Sequence, residues 1–282
     1  MLAQALHDAC VEELAAADAA LAGSARHPHR CVHQARKSLR RVRAWLALVS
    51  RADPAFATVA APVRRAAHSL SRLRDAAVAV ETFDRLMRRK ALQATANAAM
   101  PLRDDLVRRR DLLLAQHRRD DPAFANLRRY LHRAHTAAKV LPWSRADPRA
   151  VVHGLARSRR RIAKVGERAR DSNEEHLRHR WRRRLRRYND QQGLIAQMLQ
   201  PDSTRRGEDA DQLLRRLSRK DLLDTEVSQR LAATAHVLGL EHDACLLRRI
   251  VRKTSVLDEA IRSSLLRALD HRLHKLRKRS EA

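Results

Sequence analysis

Two short segments of this chain carry arginine and histidine at a spacing that suits the binding of an anion. Residues 178–187 read RHRWRRRLRR, and residues 33–46 read HQARKSLRRVRAWL. Guanidinium groups keep their charge when partly desolvated, and each offers a planar pair of donors to a phosphate. Side chains three and four residues apart lie on one face of a helix, about 5–6 Å from each other. The segments therefore predict rows of cations that face a polyanion.

The charge of the whole chain also indicates a partner with negative charge. The 282 residues include 60 Lys and Arg against 32 Asp and Glu, a formal net charge of +28, and 52 of the 60 cations are Arg. A compact state with this charge repels itself unless anions lie nearby, so we expect a negatively charged partner. A genome rich in G and C would also favour arginine, and this explanation competes with a functional one.

Composition predicts an all-α fold. Hydrophobic residues make up 44% of the chain, whereas aromatic residues make up 3% and there are only 6 glycines. Turn residues divide the chain into segments with helical periodicity. The segment at 142–148 separates two similar halves, 1–141 and 142–282, with four predicted helices in each. These helices are 2–22, 26–51, 54–90 and 92–140 (broken near Pro122), followed by 148–168, 171–200, 208–252 and 254–280.

Apolar residues of the first arginine segment recur at alternating intervals of three and four. This spacing predicts one buried seam on a helix, with the cations on the other faces. The seam residues are Val32, Ala35, Leu39, Val42, Leu46 and Val49.

The second arginine segment matches the first when His179 is aligned with His33. An alignment from His176 would instead place Arg178 and Arg182 at core positions, which burial energetics disfavour. The chosen alignment places Trp181, Leu185, Tyr188 and Ile195 at the positions of Ala35, Leu39, Val42 and Val49, and Asn189 at that of Arg43.

A second repeated pattern, A-H-x-L-x-x-x-x-D-A, occurs at 67–76 and at 235–244. His68 and Asp75, like His236 and Asp243, are seven residues apart, which predicts that each pair lies on one face of a helix. We expect the histidines to be bundle-interior or structural residues and not ligands, and the aspartates to orient arginine side chains.

These motifs resemble the CHAD family, the conserved-histidine α-helical domain, over nearly the whole chain. The resemblance implies a single domain, 1–282, of two similar four-helix bundles related by a pseudo-twofold axis. It also implies binding of inorganic polyphosphate by a basic surface or pore, and association with polyphosphate granules. The residues implicated in binding are His33, Arg36, Lys37, Arg40, Arg41, Arg43, His179, Arg182, Arg183, Arg186 and Arg187.

Other functions have weaker support in the sequence. We expect no enzyme activity, cofactor or metal site, because phosphate loops, nucleophile motifs and metal-binding carboxylate clusters are absent from the sequence. A non-specific nucleic-acid-binding or packaging protein would have the same charge, although it would have few aromatic residues for stacking on bases. The unpaired cysteine pattern and the lack of a signal peptide or apolar span predict a cytoplasmic protein without a membrane segment.

Overall fold

A computed structural model describes residues 2–172, 174–200 and 208–281, and in these residues it contains α-helices and short 3₁₀ segments but no strand. The predicted all-α class is confirmed. No helix in the described ranges has an apolar stretch long enough to cross a lipid bilayer. The helices are α1 (Leu2–Ala22), α2 (Pro28–Val49), α3 (Phe56–Ser69), α4 (Ser71–Met87), α5 (Met100–Asp120), α6 (Ala125–Lys139), α7 (Pro148–Arg170), α8 (Glu175–Met198), α9 (Glu208–Ser218), α10 (Thr225–Lys253) and α11 (Glu259–Glu281).

Most helix ends lie where proline and aspartate predicted them. Pro28 and Pro148 occupy the first turns of α2 and α7, where the missing N–H is tolerated. The Asp147 carboxylate accepts the N–H of Ala150 at 2.7 Å and caps α7. The predicted break near Pro122 is confirmed, whereas the predicted break at 201–207 lies outside the described residues.

The predicted helix 54–90 is wrong, because it consists of α3 and α4, which meet at Leu70. Leu70 is completely buried, and its carbonyl accepts a hydrogen bond from Nη1 of Arg36 at 3.3 Å. The break lies between His68 and Asp75, so these residues do not share a helix face as predicted. His68 and His236 are both exposed, which also contradicts their expected interior position.

The predicted helix 208–252 is also wrong, because α9 and α10 are separated by a turn that contains neither glycine nor proline. The N–H of Leu222 donates to the carbonyl of Leu217 at 3.0 Å, and the N–H of Asp221 donates to that of Ser218 at 3.1 Å. Asp221 has a φ of 51°, the left-handed conformation required by this Schellman motif. Leu217 and Leu222 are buried, so their side chains anchor the turn.

The first of two compact units contains the described residues of 1–70 and 123–233. In this unit α2 contacts α1, α3, α7 and α8. All six residues of the predicted α2 seam are at most 1% exposed, and their counterparts on α8, Trp181, Leu185, Tyr188 and Ile195, are at most 4% exposed. The helical phase predicted for both arginine segments is therefore confirmed.

The second compact unit contains the described residues of 71–122 and 234–281. Side chains of α4, α5, α10 and α11 form its hydrophobic core, which includes the fully buried Leu102, Leu247, Leu265 and Leu269. Each unit thus takes helices from both 1–141 and 142–282. Internal duplication into two four-helix bundles remains a prediction.

Gly154 allows the α7 backbone to approach α2 closely. A Cβ atom at this position would lie 2.1 Å from the carbonyl oxygen of Leu48 and 2.8 Å from its Cα. Both contacts are to backbone atoms, which cannot move without separating the two helices. Gly193 on α8 provides a contrast, because a Cβ atom there would meet nothing within 4 Å.

Gly154→Ala is expected to destabilise the protein by at least ~2 kcal/mol, because the added methyl group forces α2 and α7 apart. The matched substitution Gly193→Ala should stabilise it by about 0.5–1 kcal/mol, because alanine reduces the entropy lost when a helix forms. Thermal unfolding followed by circular dichroism measures both effects. Equal stability of the two variants would contradict the close approach of the α7 backbone to the α2 backbone.

Candidate functional site

The two arginine segments lie on α2 and α8, which contact each other in the first unit. Three side chains join these helices. Gln191 donates from Nε2 to the carbonyl of Ala44 at 2.8 Å, and Trp45 donates from Nε1 to the carbonyl of Asp190 at 3.0 Å. Arg40 forms a two-pronged ion pair with the Asp190 carboxylate, at 2.7 and 3.2 Å. These hydrogen bonds and this ion pair thus fix the register of α2 and α8 beside their apolar seams.

Helix α7 completes the site by packing against both α2 and α8. Arg157 donates from Nη2 to the carbonyls of Ala47 and Leu48 at 3.2 and 3.4 Å. These carbonyls belong to the last turn of α2, which has no further helical N–H groups to donate to them. The contact connects α7 to the end of α2 next to Gly154.

The structure gives partners for Arg36, Arg40 and Arg41, which are sequence-predicted site residues on α2. Arg36 donates to the Leu70 carbonyl, Arg40 pairs with Asp190, and Arg41 pairs with Glu13 on α1. The carboxylates neutralise Arg40 and Arg41 locally. All three side chains hold helices together in the first unit.

Five other predicted residues lie on α2 and α8, and four of them, His33, His179, Arg182 and Arg186, also interact within the protein. His33 is exposed, whereas Lys37, His179, Arg182 and Arg186 are half-buried. They follow the same helices as the remaining predicted residues, Arg43, Arg183 and Arg187.

The remaining predicted residues, Arg43, Arg183 and Arg187, lie close together, and two arginines that the sequence motif did not include lie beside them. We call Arg43 on α2, Arg161 on α7, and Arg183, Arg184 and Arg187 on α8 the arginine cluster. Burial, followed by the charges of the other four members, lowers the pKa of Arg187 to about 10. The other four guanidinium groups therefore lie close enough to Arg187 for their charges to act on it.

The pKa values of two further members indicate the same crowding. Burial lowers the pKa of Arg43, and the charges of Arg183 and Arg64 add to the effect. Burial likewise lowers the pKa of Arg184, with contributions from Arg161, Arg180 and Arg183. Arg64 and Arg180 thus lie beside the cluster.

The arginine cluster differs from Arg40 and Arg41 in its lack of acidic partners. Within the part of the chain that the structure describes, no carboxylate lies at ion-pairing distance from any of its five guanidinium groups. Like charges that are partly removed from water destabilise one another unless an anion lies between them. The cluster is therefore a candidate site for an external anion with several charges.

The sequence motif missed Arg161 and Arg184 for different reasons. Arg184 belongs to the second arginine segment but aligns with Ser38, so the comparison of the two segments omitted it. Arg161 lies on α7, and its membership depends on how that helix packs. Its position four residues after Arg157 was the available signal, because this spacing places both residues on one helix face.

Removal of one cluster charge should stabilise the protein in the absence of anions. The lowered pKa of Arg187 means that the folded state disfavours its charged form. This cost is fully present below about pH 10 and is lost as the pH rises toward the ordinary pKa of an arginine side chain. At pH 7 and low salt, Arg187→Met, which keeps an apolar stem, should raise the Tm by a few degrees.

Arg187→Lys is the control, because it retains the positive charge. Its Tm should not exceed that of the parent protein, and added salt should reduce the gain seen with methionine. An equal gain in both variants would show that packing, and not charge, limits stability at this position.

Comparisons with known proteins agree with this architecture. Among solved structures, PptA from Streptomyces chartreusis superposes with a TM-score of 0.65, covering 99% of this chain and 97% of that chain at 13% sequence identity. At this identity the similarity concerns the fold. No curated protein sequence matches the chain. The model of the CHAD domain matches residues 5–252, and the chain therefore belongs to the CHAD domain family.

Proposed function

We propose that this protein binds inorganic polyphosphate at the arginine cluster and along the cationic faces of α2 and α8. The observation that carries the proposal is that five guanidinium groups from three helices lie together without a carboxylate partner among the described residues. Polyphosphate is a flexible chain with about one negative charge per internal phosphate and no base or sugar. A row of two-pronged cationic donors complements such a ligand.

The remaining predicted residues would extend this site. Lys37, Arg182 and Arg186 follow the same helices as the cluster, and His33 and His179 would add contacts when protonated. Arg36, Arg40 and Arg41 would act mainly by holding α2 in place, because each contacts a partner within the protein. Membership of the CHAD family supports the choice of polyphosphate.

The aromatic side chains of the motif helices favour this ligand over nucleic acid. Trp45, Trp181 and Tyr188 are at most 5% exposed, so their rings cannot stack on the bases of a bound strand. A nucleic acid would thus be held through its phosphates alone, at a wider charge spacing than in polyphosphate. We propose a binding protein of polyphosphate granules in the cytoplasm, without catalytic activity of its own.

The triple substitution of Arg43, Arg183 and Arg187 by Gln should weaken binding of long-chain polyphosphate by more than tenfold at physiological salt. Because three phosphate contacts are lost, the slope of log affinity against log salt should fall by about 2. Calorimetric titrations across a salt series measure both quantities.

The matched control replaces three exposed arginines of the same unit, Arg133, Arg168 and Arg219, by Gln. It removes the same charge and should change the affinity less than threefold. Equal losses in both triple variants would contradict a defined site and leave only diffuse electrostatic attraction.

Competition tests the choice of ligand. Long-chain polyphosphate should displace duplex DNA from the protein at equal phosphate concentration, measured by fluorescence anisotropy of labelled DNA. Equal affinities at physiological salt would support the nucleic-acid-binding alternative instead.

A further inference from the structure

A second cationic feature of the first unit is a cavity of about 580 Å³ at the end of α2. Pockets for small ligands have volumes of roughly 300–1,000 Å³, so this cavity could hold a compact anion. Its lining includes Leu48 in the last turn of α2, Ala52 after that helix, and Ala150 and Ala156 on α7. The charged groups around it are mainly cationic, namely Arg51, Arg145, Arg157, Arg160 and Lys220, and His153 also lines it.

Few acidic groups compensate these cations. Among the described residues, Asp147 is the one carboxylate of the lining, and it already accepts the N–H of Ala150 as the cap of α7. Arg145 pairs with Asp53 at 3.1 Å. By contrast, no carboxylate of the described residues lies at ion-pairing distance from Arg51, Arg160 or Lys220. The cavity therefore has an excess of positive charge that a bound anion would neutralise.

Arg157 fixes one wall of the cavity. Its hydrogen bonds to the carbonyls of Ala47 and Leu48 hold the guanidinium group at the end of α2. Burial lowers its pKa, and the charges of Arg51, Arg161 and Arg160 lower it further, in that order. Arg51 and Arg160 thus lie close enough to Arg157 for their charges to repel it, as in the arginine cluster.

The same residue connects the cavity to the arginine cluster. Arg157 borders the cavity and Arg161 belongs to the cluster, and the two are four residues apart on α7. One turn of helix, about 5–6 Å, therefore separates the two sites. An extended phosphate chain on the cluster can continue into the cavity without leaving cationic surroundings.

We infer that this cavity binds a compact oligophosphate group, the terminal phosphates of a polyphosphate chain whose interior lies on the arginine cluster. The inference rests on the proposed function. A terminal phosphate has a second ionisable oxygen, with a charge between about −1.5 and −2 near neutral pH, whereas an internal phosphate carries about one negative charge. A concave site with several uncompensated cations suits that denser charge, and the more open row of helix-borne arginines suits the interior.

The test compares two variants with two ligands. The cavity variant is Arg51→Gln with Arg160→Gln, and the cluster variant is the triple substitution of Arg43, Arg183 and Arg187. The ligands are tripolyphosphate, which is short enough to occupy the cavity alone, and long-chain polyphosphate. Calorimetry at one fixed salt concentration gives the affinity and the stoichiometry of each combination.

We expect one tripolyphosphate per protein, with an affinity that falls at least tenfold in the cavity variant and less than threefold in the cluster variant. Long-chain polyphosphate should show the larger loss in the cluster variant. The control Arg149→Gln with Arg219→Gln replaces two exposed arginines outside the cavity lining and should bind both ligands like the parent protein.

Two outcomes would overturn a separate cavity site. One is that tripolyphosphate does not bind the parent protein. The other is that the affinity for tripolyphosphate falls equally in the cavity and cluster variants. Retention of long-chain binding by the cluster variant would instead contradict the proposed function. In that case the tripolyphosphate results still decide whether the cavity binds a compact oligophosphate.

Long-chain polyphosphate with both ends blocked by a neutral alkyl amide distinguishes a chain end from a free short oligophosphate. Blocking should weaken binding to the parent protein at least threefold and should not affect binding to the cavity variant. Equal affinity of the parent protein for blocked and unblocked chains would overturn the assignment of the cavity to chain ends.

Discussion

The close packing of α2 against α7 and α8 is the constraint on which the candidate site depends. Buried seams on α2 and α8 draw these helices together, and Gly154 lets the α7 backbone approach Leu48. Burial of each large apolar side chain contributes roughly 1.5–3 kcal/mol, so the seams can offset the repulsion between nearby guanidinium groups. Because the backbones cannot separate, the arginines on their outer faces remain close to one another even though their charges oppose it.

Arginines of the first unit have two distinct roles. Arg40 and Arg41 lie beside carboxylates, and their ion pairs connect α2 to α8 and to α1. Members of the arginine cluster lack such partners among the described residues, and we expect their repulsion to lower the stability of the ligand-free protein. A multivalent anion that binds only the folded state removes this cost, so ligand binding and folding stability are coupled.

The sequence was sufficient to predict those features that depend on local periodicity. The three- and four-residue spacing gave the buried seams of α2 and α8, and proline and aspartate gave the starts of α2 and α7. It was insufficient where tertiary contacts decide the structure. The break at Leu70 leaves a carbonyl that Arg36 satisfies from another helix, and the break after α9 depends on Asp221 in a left-handed conformation. Arg161 belongs to the cluster only because α7 packs against α8.

The alignment of the two arginine segments explains why they contribute unequally to the site. Arg41 and Arg187 occupy equivalent positions in the alignment, yet Arg41 faces Glu13 on α1, whereas no described carboxylate pairs with Arg187. Ser38, equivalent to Arg184, is completely buried, so the first segment has no cation at that position. Three cluster members therefore come from α8 and one from α2. The two segments carry similar cations in the alignment, but the neighbouring helices determine which of these arginines pair with a carboxylate of the described residues.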